Sequence, residues 1–279
     1  MSDDYDLEFW DHLEELSSRL RHILYVLLIV MVIVMSIPSN PTKIFQLDLT
    51  DYHFLVTDFM QFLQNSLLPS GVTLIAFNWL DSFYIFFIIS FAISFLICLP
   101  YIAYEIYTFL APAIFEKEKK LIFTFVTLFV VLFLMGVVYA YYILIPATFK
   151  VLYQFVYQTN VMPLYSVKDF FDLITFALFG SGLFYTFPLV LYLLVSIDLL
   201  TVDELKYYRR HILVALLFVT AVITPDPTPV TMLLMTIPFY FLYEITIFVL
   251  SRLLKNKPDK VLTAGLSAAE EFLARQKES

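Results

Sequence analysis

The side chains best suited to bind a charged partner begin in the segment Phe9–Arg21, which reads FWDHLEELSSRLR and runs into an apolar segment from Ile23. At helical spacing this segment carries two stripes. The apolar stripe contains Phe9, Leu13, Leu16 and Leu20, and the charged stripe contains Asp11, Glu15 and Arg19. An amphipathic helix that leads into a membrane span lies along the membrane surface. We therefore expect its acidic side chains to be available to a basic partner.

Three other acids stand out by their surroundings. Glu118 lies between Lys117 and Lys119, whereas Glu105 and Glu244 lie within apolar runs. A charge at the centre of a membrane costs about 2.5–3.5 kcal/mol, so the last two acids need a partner, a proton or water. Simpler interpretations stay open, because Glu15 and Arg19 form an i,i+4 pair worth only about 0.2–0.5 kcal/mol and charge runs are usually solvated.

Residues for covalent or metal chemistry are sparse. Cys98 is the only cysteine and lies in an apolar run, which indicates a small buried side chain. The Gly180-Ser181-Gly182 sequence would need a base beside its serine to act as a protease, so close helix packing is the favoured interpretation. The sequence contains no phosphate loop, dinucleotide fingerprint or metal-ligand cluster. We expect neither an enzyme nor a cofactor.

Composition is typical of a membrane protein. Apolar residues make up 61% of the 279 residues, and the mean hydropathy is +0.83, above the values of soluble domains. The net charge of −8 argues against nucleic acid as a partner. The acidic start MSDDYDLE lacks the basic region of a cleavable signal peptide, so we expect the first span to be retained.

Six apolar blocks predict an all-α integral membrane protein. The blocks run roughly from Ile23 to Ile37, Phe83 to Phe109, Leu121 to Ile145, Phe171 to Ile197, Ile212 to Thr224 and Val230 to Leu250. Residues 1–255 form this six-span domain, and residues 256–279 form a polar tail. With the amino terminus inside the cell, all but three of the 17 Lys and Arg residues face the cytoplasm. The positive-inside rule then predicts that both termini are cytoplasmic.

The fifth block is too short to cross a membrane comfortably. Ile212–Thr224 extends about 20 Å as a helix, against a hydrocarbon core of about 30 Å. The sequence TPDPTP at 224–229 then stops the helix. We expect a short hairpin of fifth and sixth helices that thins the bilayer nearby, with a merely tilted pair as the alternative.

The connecting segments also carry structural signals. Pro38–Asp81 and Lys150–Lys168 have mixed polarity and predict short helices that cover the outer face. Thr201-Val-Asp-Glu204 has the pattern of a capping box, which would open a helix before the fifth span.

Four blocks of sequence closely resemble the TatC family, the membrane receptor of twin-arginine protein export. They are the opening HLEEL with its following RL, PYIAYEIYTFLAPAIFEKEKK at Pro100–Lys120, GVVYAYYILIP at Gly136–Pro146, and Arg209–Phe248 with its TPDP, IP and YE steps. Together they cover most of the chain in the family's order. The resemblance implies a glove-shaped bundle of six helices in the cell membrane with both termini cytoplasmic.

The resemblance also implies function and site residues. Twin-arginine signal peptides of folded cargo would bind on the cytoplasmic face, and export would use the proton-motive force. Single-span subunits of the TatA type, with TatB-type subunits as an open question, and further copies of the chain would be partners. Signal-peptide binding is implied for Glu15, Glu118, Phe109 and Arg19, and partner docking or polar intramembrane roles for Glu244, Thr186, Asp226 and Glu105.

Three departures from the family pattern limit this transfer. Ser17 replaces a frequent arginine, Thr186 occupies the position of a frequent glutamate before Pro188, and Glu105 replaces a common glutamine. A hydroxyl cannot supply charge, so a proton-linked role at position 186 is not expected. The main alternative function is that of a secondary transporter or channel, although only five glycines leave little sequence for broken helices.

Overall fold

The computed structural model describes residues 2–39, 53–69, 71–110, 119–158, 164–196, 199–223 and 228–254. The described chain is mostly helical. Its helices are α1 (Ser2–Ser36), α2 (Leu55–Leu67), α3 (Asp81–Leu110), α4 (Lys119–Tyr139), α5 (Ile145–Gln158), α6 (Val167–Tyr185), α7 (Phe187–Ser196), α8 (Val202–Tyr207), α9 (Arg209–Ile223) and α10 (Pro229–Leu254). A π-helical turn, Ala140–Leu144, joins α4 to α5.

Five stretches of the described chain are long and apolar enough to cross a membrane. They are Glu14–Ser36, Asp81–Phe109, Phe123–Gln154, Val167–Val195 and Pro229–Arg252. The block predicted as a fifth span corresponds to α9, which has 15 residues and is about 22 Å long. The structure therefore supports five spans by length and composition, where the sequence predicted six.

Helix α1 is continuous from Ser2 to Ser36. The amphipathic segment predicted to lie along the membrane surface is therefore the first part of the span helix. Its span is largely exposed and packs mainly on α3, where Leu27 contacts Cys98 and Ile102 in a small buried cluster. Cys98 is 4% exposed, as its apolar surroundings predicted.

The third predicted span ended at Ile145, but the helix continues across Pro146 to Gln158. Proline lacks an N–H group and its ring clashes with the carbonyl group four residues earlier. The wider π-helical turn immediately before Pro146 gives the backbone a different hydrogen-bond pattern there. This local widening explains why the span reaches Gln154 and is longer than predicted.

Helices α4 and α6 approach each other at their backbones. A methyl group added at Gly136 would lie 2.5 Å from the carbonyl oxygen of Ser181 and 2.8 Å from Cα of Gly182. Across the same contact Phe133 packs against Gly182. Small residues allow this approach, which confirms the interpretation of Gly180-Ser181-Gly182 as a helix-packing sequence.

Two short strands correct the all-α prediction. Strands β1 (Thr73–Ile75) and β2 (Leu164–Ser166) pair in parallel, with Leu74 opposite Tyr165. No local sequence pattern marks three-residue strands that pair across about ninety positions. The predicted short helix in Pro38–Asp81 is present as α2, which buries Val56, Leu63 and Leu67.

Helices α8, α9 and α10 pack against one another. The predicted capping box opens α8, since the side chain of Thr201 accepts from the Glu204 N–H and that of Glu204 accepts from the Thr201 N–H. Helices α9 and α10 pack together, and the buried hydroxyl groups of Thr220 and Thr236 lie 2.7 Å apart. The predicted turn at 224–227 lies outside the described residues.

The contact at Gly136 predicts a cost for adding a single methyl group. We expect Gly136→Ala to lower the free energy of unfolding by about 1–3 kcal/mol, because a backbone carbonyl group in a packed helix cannot move aside. Gly182→Ala should cost less, since its nearest atoms belong to the ring end of Phe133. Thermal unfolding in detergent measures both, with Leu134→Ala on an exposed face as the control. Equal stability of Gly136→Ala and wild type would contradict the contact.

Candidate functional site

The guanidinium group of Arg19 lies between two carboxylates. Its Nε and Nη2 donate to Oε1 of Glu15 at 2.9 and 2.7 Å, and Nη1 donates to Oε2 of Glu105 at 3.1 Å. Nη1 also lies 2.6 Å from the hydroxyl oxygen of Thr108. Charge-assisted hydrogen bonds of this kind are stronger than neutral ones. Arg19 thus connects two acids that are 90 positions apart in the sequence.

Two packed helices position this cluster. Glu15 and Arg19 lie one turn apart on α1, and Glu105 and Thr108 lie one turn apart on α3. The contact of Leu27 with α3 fixes the register of the two helices further along. The hydroxyl group of Thr108 is also within 3.0 Å of the carbonyl oxygens of Tyr104 and Glu105 on its own helix.

The cluster is partly open to solvent. The side chains of Glu15 and Arg19 are 38% and 27% exposed, whereas that of Glu105 is 14% exposed. An open depression of about 330 Å³ is lined by Glu15, Ser18, Arg19, His22 and Glu105. Two carboxylates and one guanidinium group give these side chains a net charge of −1 when His22 is neutral. The depression can therefore attract a further cation.

A second ion cluster joins α9 and α10. Nη2 of Arg209 lies 3.0 Å from Oε2 of Glu244, and the hydroxyl group of Tyr240 donates to Oε1 of Glu244 at 2.9 Å. The neighbouring Tyr243 donates to the carbonyl oxygen of Leu205 in α8 at 2.6 Å. Nε of Arg209 is buried and has no hydrogen-bond partner among the described residues. Glu244 is thus paired within the bundle.

The family model for the Sec-independent protein translocase protein (TatC) matches residues 11–238 of the chain. The chain belongs to the TatC family. The matched region contains Glu15, Arg19, Glu105 and Thr186, and it ends six positions before Glu244. The Arg19 cluster therefore lies within the part of the chain that defines the family.

Relatives support this membership over nearly the whole chain. TatC of Haemophilus influenzae is 30% identical over 253 residues, which are 89% of this chain and 90% of the relative. TatCy of Bacillus subtilis is 29% identical over 196 residues, 70% of this chain and 77% of the relative. A crystal structure of a twin-arginine translocase receptor, TatC, in the detergent DDM matches with a TM-score of 0.70 and 28% identity, covering 85% of this chain and 98% of the other.

The residues implied for signal-peptide binding are partly brought together. Glu15 and Arg19 contact each other, and Phe109 lies partly buried on α3, one turn beyond Glu105. Glu118 lies outside the described residues. The resemblance implied partner docking or a polar intramembrane role for Glu105. In the structure its carboxylate accepts a hydrogen bond from Arg19.

The residues implied for partner docking lie apart from one another. Thr186, 2% exposed, is at the break between α6 and α7 and donates its hydroxyl hydrogen to the carbonyl oxygen of Leu183 at 2.7 Å. Glu244 is paired with Arg209 on the α9–α10 side. Asp226 lies outside the described residues.

Sequence reasoning missed Thr108 and the contact between Arg19 and Glu105. One signal could have found that contact. An acid in a span requires a cation at a similar membrane depth, and Arg19 stands near the start of the first span, as Glu105 stands near the end of the second. Antiparallel neighbouring spans bring such positions to the same side.

The Arg19–Glu105 pair predicts a measurable coupling energy. In a double-mutant cycle of Arg19→Gln and Glu105→Gln, we expect thermal unfolding in detergent to give about 1 kcal/mol of coupling, because the pair is partly buried and charged.

The matched control is the pair of Asp203 and Lys206, whose atoms are 2.9 Å apart but whose side chains are 92% and 45% exposed. Its cycle of Asp203→Asn and Lys206→Gln should give less than about 0.5 kcal/mol. A coupling of Arg19 with Glu105 no larger than that of the control would contradict the cluster.

Proposed function

We propose that this chain is the receptor subunit of a Sec-independent, twin-arginine protein translocase and that its Arg19 cluster receives the signal peptide. Membership in the TatC family and the likeness to a twin-arginine translocase receptor support the general role. The observation that carries the site is a guanidinium group already held by the carboxylates of Glu15 and Glu105. A site that binds one guanidinium group in this way has the chemistry to bind another.

Charge balance indicates how two arginines are accommodated. The cluster has a net charge of −1, so one peptide arginine brings it to neutrality. Glu118, which lies between Lys117 and Lys119 after α3 in the sequence, is the carboxylate that we assign to the second arginine. Phe109 lies between Glu105 and this loop in the sequence and provides an apolar contact beside the carboxylates.

Selectivity for arginine over lysine follows from geometry. Arg19 uses Nε and Nη2 on Glu15 and Nη1 on Glu105, so its planar fork connects two acids at once. An ammonium group is a compact, strongly hydrated point charge without this fixed fork. A twin-lysine peptide would retain the net attraction and lose the forked contacts.

We further propose that this chain is a multi-pass protein of the cell membrane. The end of its bundle that carries Arg19 faces the cytoplasm. Arg19 contacts the Glu105 end of α3, whereas Lys168 pairs with Asp172 beside Tyr84 at the other end. The basic residues that the sequence assigned to opposite sides thus lie at opposite ends of α3. This separation supports cytoplasmic termini.

The proposed bundle has six membrane helices, of which α9 is the short one. At about 22 Å, α9 does not span a hydrocarbon core of about 30 Å. Its buried contact between Thr220 and Thr236 keeps it beside α10. The pair would thin the bilayer locally, where single-span TatA-type subunits and further copies of the receptor would assemble under the proton-motive force.

The peptide site predicts the effect of neutral substitutions. Glu15→Gln, Glu105→Gln and Glu118→Gln should each weaken binding of a twin-arginine peptide about tenfold, since each removes one charge-assisted contact. Fluorescence anisotropy with the receptor in nanodiscs measures the affinity, beside a twin-lysine peptide.

Asp203→Asn is the control, because it removes an exposed carboxylate from the same side of the proposed topology. It should leave the affinity unchanged. Unchanged affinity in all three glutamate variants, or equal binding of the two peptides to wild type, would overturn the proposed site.

The short helix predicts a thinner membrane around one part of the receptor. In cryo-electron microscopy of the chain in nanodiscs, the headgroup layers should lie several ångströms closer together beside α9 than beside α4, because lipids adapt to the shorter helix. The span that contains α4 has 32 residues and serves as the reference within the same particle. Uniform thickness around the protein would contradict the thinned hairpin.

A further inference from the structure

A cluster of large apolar side chains is exposed where α3 begins. Between β1 and α3, Phe77 is 66% exposed, Trp79 is 101% exposed and Leu80 is 73% exposed. Phe83, in the first turn of α3, is 61% exposed. We call Phe77, Trp79, Leu80 and Phe83 the aromatic loop. It lies at the end of α3 opposite Glu105, and neither the family resemblance nor the Arg19 cluster accounts for it.

Hydrogen bonds to Asp81 fix the shape of this loop. The carboxylate oxygen Oδ2 of Asp81 accepts from the N–H groups of Phe77 and Asn78 at 3.1 and 2.9 Å. The Asp81 residue is 5% exposed, and its N–H donates to the carbonyl oxygen of Asn78. The loop backbone is therefore tied to the first turn of α3. The outward position of Trp79 is part of the fold.

A cation lies near the same end of α3. Nζ of Lys168 lies 4.8 Å from the centre of the Tyr84 ring and 3.0 Å from Oδ2 of Asp172. The hydroxyl group of Tyr84 donates to the other oxygen of Asp172 at 2.9 Å. The Lys168 side chain remains 41% exposed. Aromatic rings beside a lysine at a helix end are typical of residues at the headgroup level of a bilayer.

We propose that the aromatic loop is a membrane anchor that inserts into the lipid interface at this end of α3, with a phospholipid surface as its partner. The loop directly precedes the apolar stretch Asp81–Phe109, which is long enough to cross a membrane. The exposed side chains of the loop therefore lie where one end of this span meets the lipid interface. Trp79 has the amphipathic ring that binds best where hydrocarbon and headgroups meet.

The anchor sets the depth of the Arg19 cluster. Asp81 and Glu105 are separated by about 36 Å along α3, slightly more than a hydrocarbon core of about 30 Å. With the aromatic loop at one interface, Glu105 reaches the other interface, where a peptide from water can meet it. Only the naming of that second interface as cytoplasmic rests on the proposed function. The anchoring itself does not.

Tryptophan fluorescence tests the anchor directly. Trp10 and Trp79 are the only tryptophans, so Trp10→Phe leaves Trp79 as the single reporter. The variant is placed one copy per nanodisc, in phospholipids brominated either near the glycerol backbone or near the chain ends. We expect strong quenching by the shallow bromines, weaker quenching by the deep ones, and less quenching by aqueous iodide than for free tryptophan.

Other outcomes overturn the proposal. Quenching by iodide as for free tryptophan, without quenching by bromine, would place Trp79 in water. Protection from both quenchers would place it against protein. A second variant, Asp81→Ala in the same background, should lower the ratio of bromine to iodide quenching, because the loop loses two hydrogen bonds to its backbone. The control Asp172→Ala leaves these bonds intact and should preserve that ratio. The assay contains no peptide, so its result is independent of signal-peptide binding.

Discussion

The placement of α1 depends on one polar interaction at the end of an apolar helix pair, the contact of Arg19 with Glu15 and Glu105. Lipid tails are as apolar as leucine, so no hydrophobic force drives two spans together in a membrane. Helix α1 leaves most of its span exposed and buries few side chains, chiefly Leu27 in the small cluster against α3 and Val34 in the main core. A charged contact between these helices therefore contributes a large share of what specifies their register.

This contact gives the proposed receptor a coupling between binding and structure. A peptide guanidinium group that takes Glu105 from Arg19 also removes the charged contact between α1 and α3. Thermodynamic linkage requires the reverse effect as well, so an interaction that strengthens the helix pair opposes binding at the same carboxylates. In this chain Glu105 gives Arg19 a charged partner on the neighbouring helix, so the coupling acts through a carboxylate.

Sequence patterns predicted the features that depend on residues close together in the chain. Hydropathy located the long spans, the Thr201–Glu204 spacing predicted its capping box, and Gly180-Ser181-Gly182 predicted close packing. Contacts between distant segments escaped prediction. The pairing of β1 with β2 and of Arg19 with Glu105 depends on which spans become neighbours. The continuation of the third span past Pro146 depends on a π-helical turn that no residue type specifies.

The break between α6 and α7 shows why a residue type alone does not reveal a role. Pro188 has no N–H group to give to the carbonyl oxygen of Phe184, and a carbonyl group inside a membrane protein must find a donor. The N–H group of Thr186 contacts the carbonyl oxygens of both Leu183 and Phe184, and its hydroxyl group donates to that of Leu183. The polar atoms of Thr186 are thus engaged within their own helix. Thr186 therefore carries no charge and has its hydroxyl group engaged, whereas Glu244 on α10 carries a charge and is paired with Arg209 of α9.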